Sequence, residues 1–167
     1  MDSEHKHTIW LSTGSNLNEP LDQLRKAARL AAAYIGELRE QSGIYRSPAW
    51  GYSSDHAFFN QCLALHTHLA PGQVMEAIRR IEKEMGRERK AAGYEDRVID
   101  IDLLFYDDLI LFDEELTIPH PRIPERRFVL LPLSELAPGF VHPGSGMTVA
   151  ELLSACTDAG EVLPVTT

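Results

Sequence analysis

"DRVIDIDLLFY", residues Asp96 to Tyr106, is the stretch that decides how the chain is read. Apolar residues recur there at every second position or more often, the pattern of a strand with a buried face. Side chains alternate faces along a strand, so Asp100 and Asp102 share one face, with attachment points roughly 6–7 Å apart. Ile99, Ile101, Leu103 and Phe105 are expected on the opposite face. Two like charges side by side repel, and nothing adjacent in sequence neutralises them. Either that face is wet, or something cationic sits between the acids.

The totals fit one soluble globular domain. The chain has 167 residues, 44% hydrophobic and 25% charged, long enough to bury a substantial core. No apolar run approaches the roughly 20 residues that span a bilayer, so no membrane partner is expected. The opening MDSEHKHTIW has neither a basic leader nor an apolar signal core, and Cys62 and Cys156 match no metal spacing or disulfide framework. A reducing cytoplasm is the expected compartment. The net charge of -9 argues against nucleic acid as a partner, which draws on clustered positive charge.

The distribution of charge says more than its sum. Ten of the 16 Lys and Arg residues lie in two short windows. Arg79, Arg80, Lys83, Arg87, Arg89, Lys90 and Arg97 form the first; Arg122, Arg126 and Arg127 form the second. Cations gathered beside an Asp pair point to a small polyanion with a metal ion. The hard oxygens of Asp100 and Asp102 favour Mg²⁺ over zinc or copper, and their spacing suits two ions roughly 3.5–4 Å apart, as in phosphoryl chemistry. Arg79, Arg80 and Lys83, interleaved with Glu82, Glu84 and Glu88, read instead as a solvated helix face.

Along the chain, Thr8 to Ser12 reads as a first strand, ended by a turn at Gly14-Ser15-Asn16. A helix follows, with Asn18 as its cap, Pro20 near the first turn, and Leu21, Leu24, Ala28 and Ala31 as its stripe. A second strand is expected around Ser42 to Ser47, a loop from Pro48 to Phe58, and a strand from Phe59 to Leu69. Gln73 to Met85 carries Val74, Ile78, Ile81 and Met85 at helical spacing, closed by Gly86. Arg87 to Asp96 reads as a loop, followed by the acid-bearing strand and a hairpin through Asp107-Asp108 into Leu109 to Phe112. Leu116 to Phe128, with three prolines, is expected to be largely irregular. Helical segments at Phe128 to Leu136 and Thr148 to Ala155 complete the pass. The order strand, helix, two strands, helix, strand is that of an α+β, ferredoxin-like antiparallel sheet with helices packed on it in a single domain.

Two further groups stand out. His120 lies between Pro119 and Pro121, with Arg122 and Arg126 following. Trp50, Tyr52, Phe58, Phe59 and Phe128 accompany Asn60: a flat heterocycle needs two faces to stack on and an edge to read, which aromatics and an amide supply. Taken in order, "GSNL" (Gly14–Leu17), "YRSPAWG" (Tyr45–Gly51), "FFN" (Phe58–Asn60), "GRERK" (Gly86–Lys90), "RVIDIDLLFY" (Arg97–Tyr106) and "PHPRIPERRFVLLPLSELAP" (Pro119–Pro138) resemble the 6-hydroxymethyl-7,8-dihydropterin pyrophosphokinases of folate biosynthesis. The likeness covers residues 8–155, leaving 1–7 and 156–167 as tails.

The resemblance implies an ATP-dependent diphosphokinase that makes AMP and the pterin diphosphate from small-molecule substrates; a monomer is expected. Asp100 and Asp102 would correspond to the Mg²⁺ ligands. Ser47, Phe58, Asn60 and Phe128 would bind pterin, with the two Phe rings sandwiching it. Arg87, Lys90, Arg97, His120 and Arg126 would grip the triphosphate, Arg87 and Arg97 being catalytic. One departure stands out: where many relatives carry Trp-Gly-Pro, this chain has Tyr94-Glu95-Asp96. Two other readings share parts of the pattern. A different Mg²⁺-dependent phosphotransferase needs the acids but not the aromatic pocket, and a binding module of the same fold needs no turnover.

Overall fold

The computed structural model describes residues 6–87 and 95–166. A six-stranded sheet is built around β1 (His7–Ser15), which pairs antiparallel with β4 (Phe58–Thr67) on one side and β5 (Asp100–Tyr106) on the other. Outward from β4 lie β2 (Glu37–Gln41) and β3 (Tyr45–Ser47), and β3 in turn pairs with β8 (Leu163–Pro164). The α+β class and antiparallel sheet are as expected. Residues 163–164, in the stretch read as a tail, are part of the sheet.

Helices cover both faces. α1 (Pro20–Tyr34) and α2 (Pro71–Glu84) bury Leu24, Ala27 and Ala31 and Val74, Ile78 and Ile81 against Ile9, Leu11, Leu63 and Leu65. On the other face α3 (Arg127–Leu136) and α4 (Val149–Ala155) bury Val129, Leu130, Leu133 and Leu152 against Cys62, Leu104 and Phe105. Among the described residues no helix is long and apolar enough to cross a membrane.

The strand that opened the reading changes parity part-way. Leu11 pairs with Leu103 but Trp10 pairs with Phe105, so Leu104 is an extra residue in β5. Such a bulge turns the following side chains to the other face. Ile99, Ile101 and Leu103 lie in the α1/α2 core as expected, whereas Phe105 sits in the α3/α4 core against Phe140 and the edge of Trp10. A strict period of two misplaces it.

Other boundaries shift for local reasons. Gly14 and Ser15 are strand rather than turn, because Gly14 is paired on both sides, with Asn60 and Asp100. Asn18 does not cap α1 with its side chain; it and Glu19 have φ of 56° and 62°, and its carbonyl accepts from Gln23 Nε2. Of the strand expected at 42–47 only β3 (Tyr45–Ser47) forms, and β2 (Glu37–Gln41), ahead of that range, was not expected. Ser42 lies between β2 and β3, its hydroxyl accepting from the Cys62 amide where a strand would offer a backbone carbonyl. No hairpin forms between β5 and residues 109–112: β6 (Leu111–Phe112) pairs with β7 (Thr117–Ile118). The outer edge of β5 is taken instead by the proline-rich segment, where the His120 amide donates to Leu104 O. That bond brings His120 alongside the acids.

Phe105 is 1% exposed in a ring-on-ring cluster, so Phe105→Ala is expected to cost about 3–5 kcal/mol and lower the melting temperature by roughly 10 °C. A drop of under about 2 °C in a thermal melt would contradict its placement in that core.

Candidate active site

The register across the sheet assembles the site. Asp100 pairs with Gly14, Gly14 with Asn60, and Asn60 with Tyr45, so one row across three strands carries an acid, a glycine and an amide. A Cβ on Gly14 would stand 2.5 Å from Asn60 Nδ2, so any larger residue would displace the Asn60 amide. The open floor separates the acid pair from the amide without walling one from the other. Asn60 and Ser47 are both buried, and the Ser47 hydroxyl donates to Asn60 Oδ1 at 3.5 Å.

Above that floor lies a cavity of about 310 Å³, a size suited to a small molecule. Its walls come from separate parts of the chain. The 48–57 loop brings Trp50 and Tyr52, the start of β4 brings Phe58, and the first turn of α3 brings Phe128. The rings meet edge to face, Tyr52 with Phe58 at 6.4 Å and Trp50 with Phe128 at 6.5 Å between centroids.

The acids lie against cationic side chains on the same cavity. Arg87 Nη1 donates to Asp100 Oδ1 at 3.0 Å and to Glu82 Oε2 at 2.6 Å; Arg97 Nη1 is 3.5 Å from Asp100. Arg126 Nη1 and His120 Nε2 each lie 3.7 Å from Asp102. Arg126 also stacks over Trp50 at 4.7 Å, and its buried Nε has no hydrogen-bond partner. Burial, reinforced by the neighbouring Asp100 carboxylate, lifts the Asp102 carboxyl to about 7, with Arg126 pulling the other way. Burial and Arg126 push His120 down to about 4, so its imidazole is neutral at pH 7. Burial works against the charge on Arg87, but Asp100 and Glu82 outweigh it and hold the guanidinium more firmly protonated.

Two carboxylates on one face, one of them resisting ionisation beside the other, fit a hard divalent cation. Among the described residues no group of three or more His, Cys, Asp or Glu is placed to hold one alone. That donor set suits Mg²⁺, which commonly takes one or two carboxylates and completes its shell with phosphate oxygens and water.

The four residues expected at the pterin (Ser47, Phe58, Asn60, Phe128) and four of the five expected at the phosphates (Arg87, Arg97, His120, Arg126) border this one cavity with the acids. Lys90 and Arg89 lie outside the described residues. The second basic window divides: Arg122 pairs with Glu125, and Arg127 donates to Cys156 O beside α4. Glu82 is a correction. Read as part of a solvated face, it is 3% exposed, and its carboxylate accepts from the Ile101 amide, the peptide N–H between the two acids. The signal was its position four residues after Ile78 on the buried stripe of α2.

Comparison with known proteins fits this geometry. Residues 10–138 match the family model described as 7,8-dihydro-6-hydroxymethylpterin-pyrophosphokinase (HPPK). The chain belongs to that family. Among its relatives is the 2-amino-4-hydroxy-6-hydroxymethyldihydropteridine pyrophosphokinase of Porphyromonas gingivalis, 38% identical over 138 residues, covering 81% of this chain and 93% of the relative. The protein of the same name from Synechocystis sp. is 37% identical over 161 residues, covering 95% and 82%. The fold is shared with Plasmodium falciparum HPPK-DHPS solved with pterin and p-hydroxybenzoate, at a TM-score of 0.74 and 17% identity, over 91% of this chain. This HPPK chain spans under half, 42%, of that longer one.

The Asp102 shift gives a pH signature. The folded protein keeps a proton on Asp102 up to about pH 7, whereas an unfolded Asp releases it near pH 3.9, about its reference value. Between those values the folded state binds more protons, so the contribution of Asp102 to stability falls as pH rises through that window. His120 opposes it, since its depressed value adds stability as pH rises from about 4 towards its unfolded pKa of about 6.5. Asp102→Asn removes only the first effect. In metal-free buffer it is expected to raise the melting temperature at pH 8 and leave it nearly unchanged at pH 4. Equal shifts at both would contradict the assignment.

Proposed function

We propose that the chain transfers the diphosphoryl group of ATP to the hydroxymethyl group of 6-hydroxymethyl-7,8-dihydropterin, releasing AMP, in folate biosynthesis. The observation that carries this reading is the shared cavity: an acid pair ringed by arginines and an aromatic pocket with a buried amide face each other across Gly14. A phosphotransferase with another acceptor has no need of that pocket.

In this reading the pterin ring lies between Phe58 and Phe128, and Asn60 and Ser47 read its polar edge. The hydroxymethyl oxygen attacks the β-phosphorus in line. The bond from that phosphorus to the oxygen bridging it to the α-phosphate breaks, AMP leaves with the bridging oxygen, and the hydroxyl proton passes to solvent. Asp100 and Asp102 would hold two Mg²⁺ ions, which would supply charge neutralisation on the diphosphoryl group. Arg87, Lys90, Arg97, His120 and Arg126 bind the triphosphate. Arg87 and Arg97 already lie on the edge of the acid pair, so entering phosphate oxygens meet guanidinium donors positioned before chemistry begins. Neutral His120 is a hydrogen-bonding partner, and no side chain need form a covalent intermediate.

The protein acts as a cytoplasmic monomer, its catalytic domain spanning residues 8–155 with β8 added at the sheet edge. The strand order β5-β1-β4-β2 with α1 and α2 on one face supports a ferredoxin-like layout.

A single assay tests the reaction. AMP is expected as product, and only when ATP, the pterin and Mg²⁺ are all present; ADP as product, or turnover without pterin, would refute it. Asp100→Ala is expected to lower kcat by more than about a hundredfold with the fold intact, and near-normal turnover would defeat the metal assignment. Asn60→Ala is expected to raise KM for the pterin by roughly ten- to a hundredfold, the worth of a buried hydrogen bond, with KM for ATP little changed. An equal rise in both would remove Asn60 from the pterin site.

A further inference from the structure

Away from the acid pair, three segments of the chain meet on one carboxylate oxygen. Asp96 Oδ1 accepts from the Tyr52 hydroxyl at 2.8 Å, the Ser54 hydroxyl at 2.6 Å and Asn16 Nδ2 at 2.8 Å. Tyr52 and Ser54 belong to the 48–57 loop that walls the cavity, Asn16 directly follows β1, and Asp96 directly precedes Arg97. Asn16, itself 3% exposed, closes the circuit. Its amide donates to Arg97 O at 3.1 Å, its Oδ1 accepts from the Arg97 amide at 2.8 Å, and its Nδ2 also donates to His56 O at 3.1 Å. None of the roles assigned above uses Asp96.

We propose that Asp96 is a positioning residue for the acceptor substrate: it latches the 48–57 loop to the segment leading into β5, so that the Tyr52 ring holds Phe58 in the pterin-facing wall. The inference rests on the reading that this cavity takes the pterin. The path is short. Tyr52 is fixed at its hydroxyl by Asp96 and meets Phe58 edge-on at its ring. A carboxylate taking three donors on one oxygen makes charge-assisted bonds, stronger than those of a neutral acceptor. Burial alone would raise the Asp96 carboxyl, but the Ser54, Tyr52 and Asn16 donors outweigh it and hold it below the usual carboxylate range. Burial and the Asp96 bond lift the Tyr52 hydroxyl to about 12, with weaker opposition from Asn16 and Arg97. Donor and acceptor therefore keep their roles throughout the neutral range.

The test compares Asp96→Ala, Tyr52→Phe, the double variant and Asp96→Asn by steady-state kinetics, thermal melting and amide hydrogen exchange of the full-length protein. Asp96→Ala and Tyr52→Phe are each expected to raise KM for the pterin on the order of tenfold, with kcat and KM for ATP within about twofold. The double variant is expected to be no worse than Asp96→Ala, because both remove one link, and Asp96→Asn to recover part of the loss. Exchange in residues 48–57 is expected to quicken while the melting temperature holds. Multiplying losses in the double variant, unchanged exchange in that loop, or faster exchange with an unchanged KM for the pterin would each overturn the proposal. Absence of pterin turnover in the unaltered protein would instead defeat the substrate assignment on which it rests. Exchange is read without substrate, which keeps the two failures apart.

Discussion

Holding half-buried Asp102 beside Asp100 is the constraint around which the rest of the structure is organised. Two carboxylates on one face of a strand, closed in by the α3 side of the sheet, cost free energy that isolated charges in water do not. The fold limits that cost with guanidinium groups from three places: the end of α2, the residues before β5, and the approach to α3. It does not remove it, since burial and the neighbouring Asp100 carboxylate still hold the Asp102 carboxyl well above the usual carboxylate range. What remains is a local demand for positive charge at the edge of a cavity.

The neighbouring strands turn that demand into a site. Gly14 contributes no side chain between Asp100 and Asn60, so anionic chemistry and heterocycle recognition share one floor. Glu82 reaches from α2 to the peptide N–H between the acids and holds Arg87 at the same time, tying helix, strand and guanidinium together. On the outer edge of β5 the His120 amide completes the pairing at Leu104, which sets the imidazole beside Asp102. Each contact is local, and their common reference is β5.

Much of this was legible in the chain because strand alternation and ordered motifs are local signals. The acid pair, the aromatic residues beside Asn60, and the basic residues flanking β5 could all be named from spacing and chemistry. The parts that were not legible depend on partners distant in sequence. The bulge at Leu104 is set by pairing with Trp10 and Leu11, so no pattern within β5 announces that Phe105 changes face. β2 is polar and mostly exposed at the sheet edge, which hides it from any search for alternation. Glu82 looked like one more charge in a charged helix, and only its fit against Ile101 shows otherwise. Asp96 closes a stretch that reads as a polar loop, and its three donors come from segments some 40 to 80 positions away.

The most direct measurement is a crystal structure of the protein soaked with magnesium and a non-hydrolysable ATP analogue. Metal density coordinated by both aspartates and by phosphate oxygens, with the Arg87 and Arg97 head groups turned onto the phosphates, is the predicted result. A nucleotide bound elsewhere, with both carboxylates still held only by their arginines, would contradict the account.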